Sequence, residues 1–111
     1  MVMQGICSDE QVVAFADIGT MNPFFTRGGR FVTITLSGTL GASNVLTLIC
    51  GGGSGDYIPT VSNMTVTIPG PAGGGAGIAC LSIDMGAYTS VKIKGITGMT
   101  AGSIIFQPSW N

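Results

Sequence analysis

Two runs of alternating residues in the middle of the chain limit what this sequence can fold into. Phe31–Ser37 and Val45–Cys50 are rich in β-branched and aromatic residues, and a glycine follows each run. In the first run Val32, Ile34 and Leu36 share one face, which is the period-2 pattern of a half-buried strand. We predict that these two strands pair with each other as an antiparallel hairpin.

The rest of the chain continues the strand pattern. Further strands are predicted at Met64–Pro69, Ile78–Met85, Tyr88–Lys94 and Ala101–Gln107, and Gln11–Ile18 is either a strand or a short helix, of which we favour the strand. Gly, Pro and Asn turns separate them at intervals of roughly 10 residues, and no convincing amphipathic helix is present. This spacing predicts an all-β fold, a single-domain antiparallel β-sandwich of seven to eight short strands. Periodicity does not decide between a jelly-roll and an immunoglobulin-like connection.

We expect one sandwich domain over residues 11–111, preceded by an N-terminal arm at Met1–Glu10. The arm has a mixed composition, so any order in it should come from contact with another subunit or partner. Pro59 has no N–H to donate to a neighbouring strand. The segment Tyr57–Val61 should therefore be an edge strand, or be interrupted at the proline.

The low charge of the chain restricts its partners. Charged residues make up 8% of the sequence, against roughly 25% in ordinary soluble domains. We therefore expect copies of the chain or a partner to cover part of the surface; a neutral surface of Ser, Thr, Gly and Asn is the alternative. Four dispersed cations form no stripe for nucleic acid. No stretch approaches the roughly 20 apolar residues that span a bilayer, so we expect synthesis in the cytoplasm and no membrane contact.

No residue pattern points to catalysis or to a bound cofactor. The sequence has no histidine, which excludes Ser-His-Asp and Cys-His arrangements within one chain. Its carboxylates do not approach the spacing of a calcium loop. The glycine run Gly51–Gly55 lacks the lysine and the following helix of a phosphate-binding loop. We expect a protein that is not an enzyme and holds no cofactor or metal.

The three cysteines, Cys7, Cys50 and Cys80, have no CxxC spacing. Cys50 and Cys80 fall at strand positions, where a thiol commonly behaves as a small buried hydrophobe. A disulfide between them requires their strands to face each other. A reducing compartment favours free thiols instead.

Three large aromatic residues are the candidate partner contacts. Phe24 and Phe25 follow the turn that ends at Pro23, where they either cap one end of the core or anchor a partner. Trp110 lies near the end of the sequence. A large aromatic side chain there can supply much of the energy of an interface, or it can fold back over its own sheet.

Part of this pattern resembles a known family. Leu36–Thr39 (LSGT), Leu46–Cys50, the turn Gly51–Tyr57 and Tyr88–Gly95 resemble the small β-sandwich virion proteins of tailed bacteriophages. In those proteins a strand that ends in Ser-Gly-Thr leads into a strand that ends at a glycine-rich turn. The turn here reads GGGSGDY and lacks the longer Asp-Gly-Gly-Thr-Trp run of that family.

The resemblance implies a capsid decoration, or cement, protein. Such a protein would sit on the capsid surface in many copies, often as a homotrimer, and stabilise the shell by binding the major capsid protein. Met1–Glu10 or Pro108–Asn111 would reach the shell. The alternative is a head-fibre or tail-tip module that recognises host-surface carbohydrate, with Tyr57, Tyr88 and Trp110 as candidate sugar contacts. A tail-tube or baseplate component is a third possibility.

Overall fold

The computed structural model describes residues 10–26, 30–52, 61–86 and 88–109. Within these ranges the chain forms eight strands in two four-stranded sheets, and all strand pairs are antiparallel. The strands are β1 (Gln11–Ala14), β2 (Phe24–Phe25), β3 (Phe31–Leu40), β4 (Ser43–Gly52), β5 (Val61–Pro69), β6 (Gly75–Asp84), β7 (Tyr88–Thr97) and β8 (Ala101–Ser109). The predicted all-β sandwich is confirmed. The predicted arm lies outside the described residues apart from Glu10.

The strand order identifies the connection between the sheets. One sheet has the order β1-β8-β3-β6 and the other β2-β7-β4-β5. A long hairpin that turns between β4 and β5 and is then rolled into two layers has four strand pairs. They are β1–β8, β2–β7, β3–β6 and β4–β5, and all four are present here. This is the jelly-roll arrangement of two interlocked Greek keys. The immunoglobulin-like connection, which has seven strands in a different order, is excluded.

The predicted hairpin between the two central runs is wrong. β3 pairs with β6 and β8, whereas β4 pairs with β5 and β7. Gly41 and Ala42 carry the chain from one sheet to the other between these strands. Alternation specifies which face of each strand is buried, and here both strands turn their apolar faces to one core from opposite sheets.

The core lies between the two sheets. Its completely buried side chains include Val32, Ile34, Leu36, Leu46, Leu48, Cys50, Ile68, Ile104 and Phe106. The alternation of Ile78–Met85 and Tyr88–Lys94 places Ile83 on one face of β6, and Val91 and Ile93 on one face of β7, and all three are buried. Phe24 stacks on Phe106 with ring centroids 5.6 Å apart.

The predicted strand Gln11–Ile18 is shorter than expected. β1 ends at Ala14, and a 3₁₀ helix follows at Phe15–Thr20. Phe15 and Ile18 are three residues apart and both pack against the core. A 3₁₀ turn places residues with that spacing on one side, so it buries both where a strand would separate them. The helical structure of the described ranges is too short and too polar to cross a membrane.

One end of the sandwich is closed around Asn44, whose side chain is completely buried. Its Oδ1 accepts a hydrogen bond from the Gly41 N–H at 2.9 Å, and its Nδ2 donates to the carbonyl oxygens of Gly41 and Ile68, each at 3.0 Å. Gly70 and Gly98 lie against the same amide, since a Cβ on either would stand 2.9 Å from an Asn44 side-chain atom. Three connections between the sheets therefore meet at this residue.

Candidate interaction surface

No cluster of chemically reactive side chains stands out in the described ranges. No three His, Cys, Asp or Glu residues there are grouped so that they could hold a metal ion. A groove of about 320 Å³ lies beside β1 and the 3₁₀ helix. Its lining residues are Gln11, Val12, Val13, Ala14, Asp17, Thr20, Met21 and Asn22. Asp17 is the one carboxylate among them, so the groove brings no acid–base pair together.

On the outward side of the sheet β1-β8-β3-β6, four successive rows of side chains carry no charge. Successive rows across the strands contain Ser82, Thr33 and Gln107; Cys80, Thr35, Ile105 and Val12; Ile78, Ser37, Ser103 and Ala14; and Ala76, Thr39 and Ala101. We call these rows the uncharged face. Because burial of an unpaired charge is what makes covering a surface costly, another protein can cover this face at low cost.

Two large apolar side chains stand out at opposite margins of the uncharged face. Ile78 on β6 is 74% exposed and Val12 on β1 is 58% exposed. On the β6 margin, two rows from Ile78, the hydroxyl oxygens of Thr33 and Ser82 lie 2.9 Å apart in a hydrogen bond between β3 and β6. The face therefore combines neutral hydroxyl groups with apolar margins.

An ion pair borders the uncharged face at one end. Arg30 Nη2 donates to Asp84 Oδ2 at 2.9 Å, and Arg30 Nε lies 3.1 Å from Oδ1. The Gly86 N–H donates to Oδ1 at 2.9 Å. The pKa of Asp84 is lowered, first by the Arg30 hydrogen bond and then by that of Gly86. The Arg30 guanidinium also lies 5.4 Å from the centre of the Phe31 ring.

One side of the sandwich ends in two long strands. β6 has ten residues and β5 has nine, whereas the opposite side ends in β1 and β2 with four and two. The inward side chains near the middle of these two long edges are only half-buried; they are Met64, Val66, Ala79 and Leu81. We call β5, β6 and these four side chains the open side, because the core between the sheets is incompletely covered there.

The outward side of the other sheet differs in charge. Lys92 lies opposite Ile49 on that side, and Lys94 is exposed near the irregularity that shifts the β4–β7 register. The alternation of Tyr88–Lys94 places both lysines on the side away from the core, in agreement with their half-buried and exposed positions. This sheet is therefore basic on its outward side, in contrast to the uncharged face.

The structure separates the candidate contact residues. Phe24 is 3% exposed and stacks on Phe106, so it is corrected from a candidate partner contact to a core residue. Its neighbour Phe25 is 57% exposed because β2 turns successive side chains to opposite sides. Phe25 therefore stays available to a partner. Trp110 lies outside the described residues.

The two described cysteines point in opposite directions. Cys50 is completely buried in the core and Cys80 is exposed on the uncharged face, and both are free thiols. The disulfide considered from the sequence therefore does not form between them. Burial raises the pKa of the Cys50 thiol. Cys7 lies outside the described residues.

Similarity to known proteins gives no further lead. No family model, curated protein or solved structure matches this chain. The role of the protein has to be inferred from its strand order and its surfaces.

Sequence reasoning missed the residues that mark the margins and the open side. In the predicted strand Ile78–Met85, alternation puts Ile78 on the same face as Cys80, Ser82 and Asp84. A lone large aliphatic residue in that set was a visible signal of a contact surface. That β6 forms an edge was not readable, because alternation does not reveal the neighbours of a strand.

Proposed function

We propose that this protein is a non-enzymatic virion structural protein, a decoration or cement protein that binds the major capsid protein through the uncharged face. The observation that carries the proposal is that face, four successive rows of the outward sheet surface without a charged residue. The jelly roll also fits, since the fold is common among viral capsid domains. The fold alone does not assign the function, because the same architecture also serves lectins.

The dimensions of the uncharged face suit a contact that is repeated many times. Strands of about ten residues and a spacing of about 4.8 Å give a face of the order of 500 Å². One such contact is small for stable binding, which takes about 800 Å² per partner. Many linked copies on a shell bind more tightly than one, because each later contact forms within an assembly that already exists. Self-association of the decoration protein would supply that linkage.

A carbohydrate-binding module at a head fibre or tail tip is the second candidate. The jelly roll is also a lectin fold, and Phe25 offers one exposed ring. Tyr88 is half-buried, and Tyr57 and Trp110 lie outside the described residues. Sugar sites generally combine several exposed aromatic rings with acidic or amide groups. Among the described residues this combination is weaker than the uncharged face.

The first test is the number of copies of this chain in purified virus particles, measured by quantitative mass spectrometry against the major shell protein. We expect hundreds of copies in a simple ratio to the shell subunit. A few to a few dozen copies would assign the protein to the tail or fibres. Its absence from particles would overturn the proposal.

A second test locates the contact with two matched substitutions. Thr35 and Thr47 are half-buried residues in the middle of β3 and β4, on the outward sides of the two sheets. We expect Thr35→Glu to prevent binding to shells stripped of this protein, because it places a charge in the uncharged face. Thr47→Glu should bind as the wild type does. Equal binding by both variants would exclude the uncharged face as the contact.

A further inference from the structure

We infer that the open side joins two copies of this chain, by antiparallel pairing of β6 with β6 of a second copy across a two-fold axis. This inference goes beyond the proposed function, because the contact forms between copies and requires no shell. It can therefore fail or succeed independently of the decoration role.

The backbone of β6 presents unpaired groups along its outer edge. The Met85 N–H donates to the Arg30 carbonyl oxygen at 2.7 Å, one position beyond the pair Phe31–Asp84. In an antiparallel ladder hydrogen-bonded pairs alternate with pairs that exchange no bond. Alternate residues of β6 therefore direct their N–H and C=O groups away from β3. These residues are Ala76, Ile78, Cys80, Ser82 and Asp84. No described strand lies on the outer side of β6 to bond their N–H and C=O groups.

β6 lacks the features by which proteins prevent pairing at an edge. Such features are short length, proline, lysine and β-bulges. β6 has ten residues without proline or lysine, its one charged residue, Asp84, lies at its end in the ion pair with Arg30, and its register with β3 is unbroken from Phe31–Asp84 to Leu40–Gly75. β1 and β2, on the opposite side, are protected by their shortness. An exposed edge of this kind is a template for another strand.

The side chains along β6 fit a second copy of the same strand. A register with Cys80 opposite Cys80 pairs all the residues whose backbone groups point outward. Ile78 then lies opposite Ser82, and Asp84 lies opposite Ala76, so no two like charges face each other. The contact is isologous, which is the commonest arrangement in homo-oligomers. The proposed contact therefore joins subunits in pairs, whereas the family resemblance implies a homotrimer.

The open side spans both sheets along the length of its strands. A strand of ten residues is about 34 Å long, and two packed sheets lie about 10 Å apart, or roughly 20 Å with the side chains on both outward sides. The open side therefore measures about 700 Å² per copy, close to the roughly 800 Å² that each partner buries in a standard protein interface. The same contact would cover the half-buried Met64, Val66 and Leu81, which removes apolar surface from water.

The test compares two matched lysine substitutions by native mass spectrometry and sedimentation velocity of the full chain. Ile78→Lys and Val12→Lys each place a charge at an exposed margin of the uncharged face, the first on β6 and the second on β1. We expect a dimer for the wild type and for Val12→Lys, and at least a tenfold weaker dimer for Ile78→Lys. Circular dichroism should show that both variants are folded, since both positions are exposed.

Mild oxidation with diamide supplies a second readout. It is carried out on the Cys7→Ser variant, whose two remaining cysteines are the buried Cys50 and the exposed Cys80. Facing Cα atoms of a hydrogen-bonded pair lie about 5.5 Å apart, within the range that a disulfide bridges. We expect a covalent dimer, and none after Cys80→Ser. A wild-type monomer at high concentration, a trimer that Ile78→Lys leaves intact, or equal disruption by Val12→Lys would each overturn the inference.

Discussion

The side-chain amide of Asn44 donates a hydrogen bond to the carbonyl oxygen of Ile68 at 3.0 Å and thereby ties the β3–β4 connection to the end of β5. The same side chain bonds the backbone of Gly41 in both directions. Asn44 and the Ile68 carbonyl oxygen that it binds are both buried, so removal of the side chain leaves that acceptor without a partner, whereas Gly41 is half-buried. The arrangement of three connections therefore depends on one buried polar residue.

Asn44→Ala should lower the free energy of unfolding by about 2–4 kcal/mol, because it leaves buried backbone groups without partners. Urea denaturation measures the loss. Asn63 is an exposed asparagine on β5 and serves as the control. Asn63→Ala should change stability by less than about 0.5 kcal/mol. Equal stability of the two variants would show that the Asn44 hydrogen bonds contribute little.

Gly98→Ala should destabilise the protein more than Gly73→Ala. Both glycines have positive φ, +103° and +76°, so both substitutions carry a backbone cost of about 1 kcal/mol. A Cβ at Gly73 meets nothing within 4 Å, whereas at Gly98 it would stand 2.9 Å from Asn44 Oδ1 and closer still to the Ser43 carbonyl oxygen. We expect a total loss of about 3 kcal/mol at Gly98 by thermal denaturation. Equal losses of stability would mean that the β7–β8 connection shifts at little cost to accommodate the added methyl group.

Ile34→Asp should abolish folding, because it places an unpaired carboxylate at a completely buried position of β3. The adjacent Thr35 lies on the outward side of the same strand and is half-buried. Thr35→Asp should therefore fold. Circular dichroism and solubility distinguish the two variants. Native, soluble Ile34→Asp would contradict the assignment of this position to the core.

The Cys50 thiol should react with a thiol reagent only after the protein opens. It is completely buried, and burial raises its pKa, so little reactive thiolate is present at neutral pH. In dilute solution and in a Cys7→Ser background, Cys80 should react at once and Cys50 at the rate of unfolding. Peptide mapping assigns the modified residue. Comparable rates at both cysteines would indicate local opening of β4.

Asp84→Asn should lower stability at neutral pH and have no effect in strong acid. The pKa of Asp84 is lower in the folded protein than in the unfolded chain, so its ionised form stabilises the fold. That contribution is complete above the unfolded pKa and disappears as the pH falls through the lowered folded pKa. The effect should be small, since both Arg30 and Asp84 are largely exposed. Thermal midpoints across this range, with an Asp84 titration by NMR, test the sign.

The sequence predicted which side chains are buried better than it predicted which strands are neighbours. Val32, Ile34 and Leu36 alternate with small polar residues, and the buried face follows directly from that period. The failed hairpin shows the limit of this reasoning. A short connection such as Gly41–Ala42 suits a crossover between sheets as well as a turn within one sheet, and no local pattern distinguishes them.

The interaction surfaces were less predictable than the core. The low charge of the chain suggests that part of its surface is covered, but the uncharged face exists only because β1, β8, β3 and β6 become neighbours. Phe24 and Phe25 look alike in the sequence. Their different environments depend on which side of β2 faces Phe106, and that orientation is a tertiary property.

The position of β8 has a consequence for how the protein is made. β8 is the last of the eight strands in chain order, yet it lies inside its sheet, between β1 and β3. Until the ribosome has released β8, β1 has no strand to pair with, and Phe24 lacks the ring on which it stacks. This sheet can therefore close only after synthesis has passed residue 109, and until then β1 waits in the nascent chain without a partner, whereas β3 already has β6.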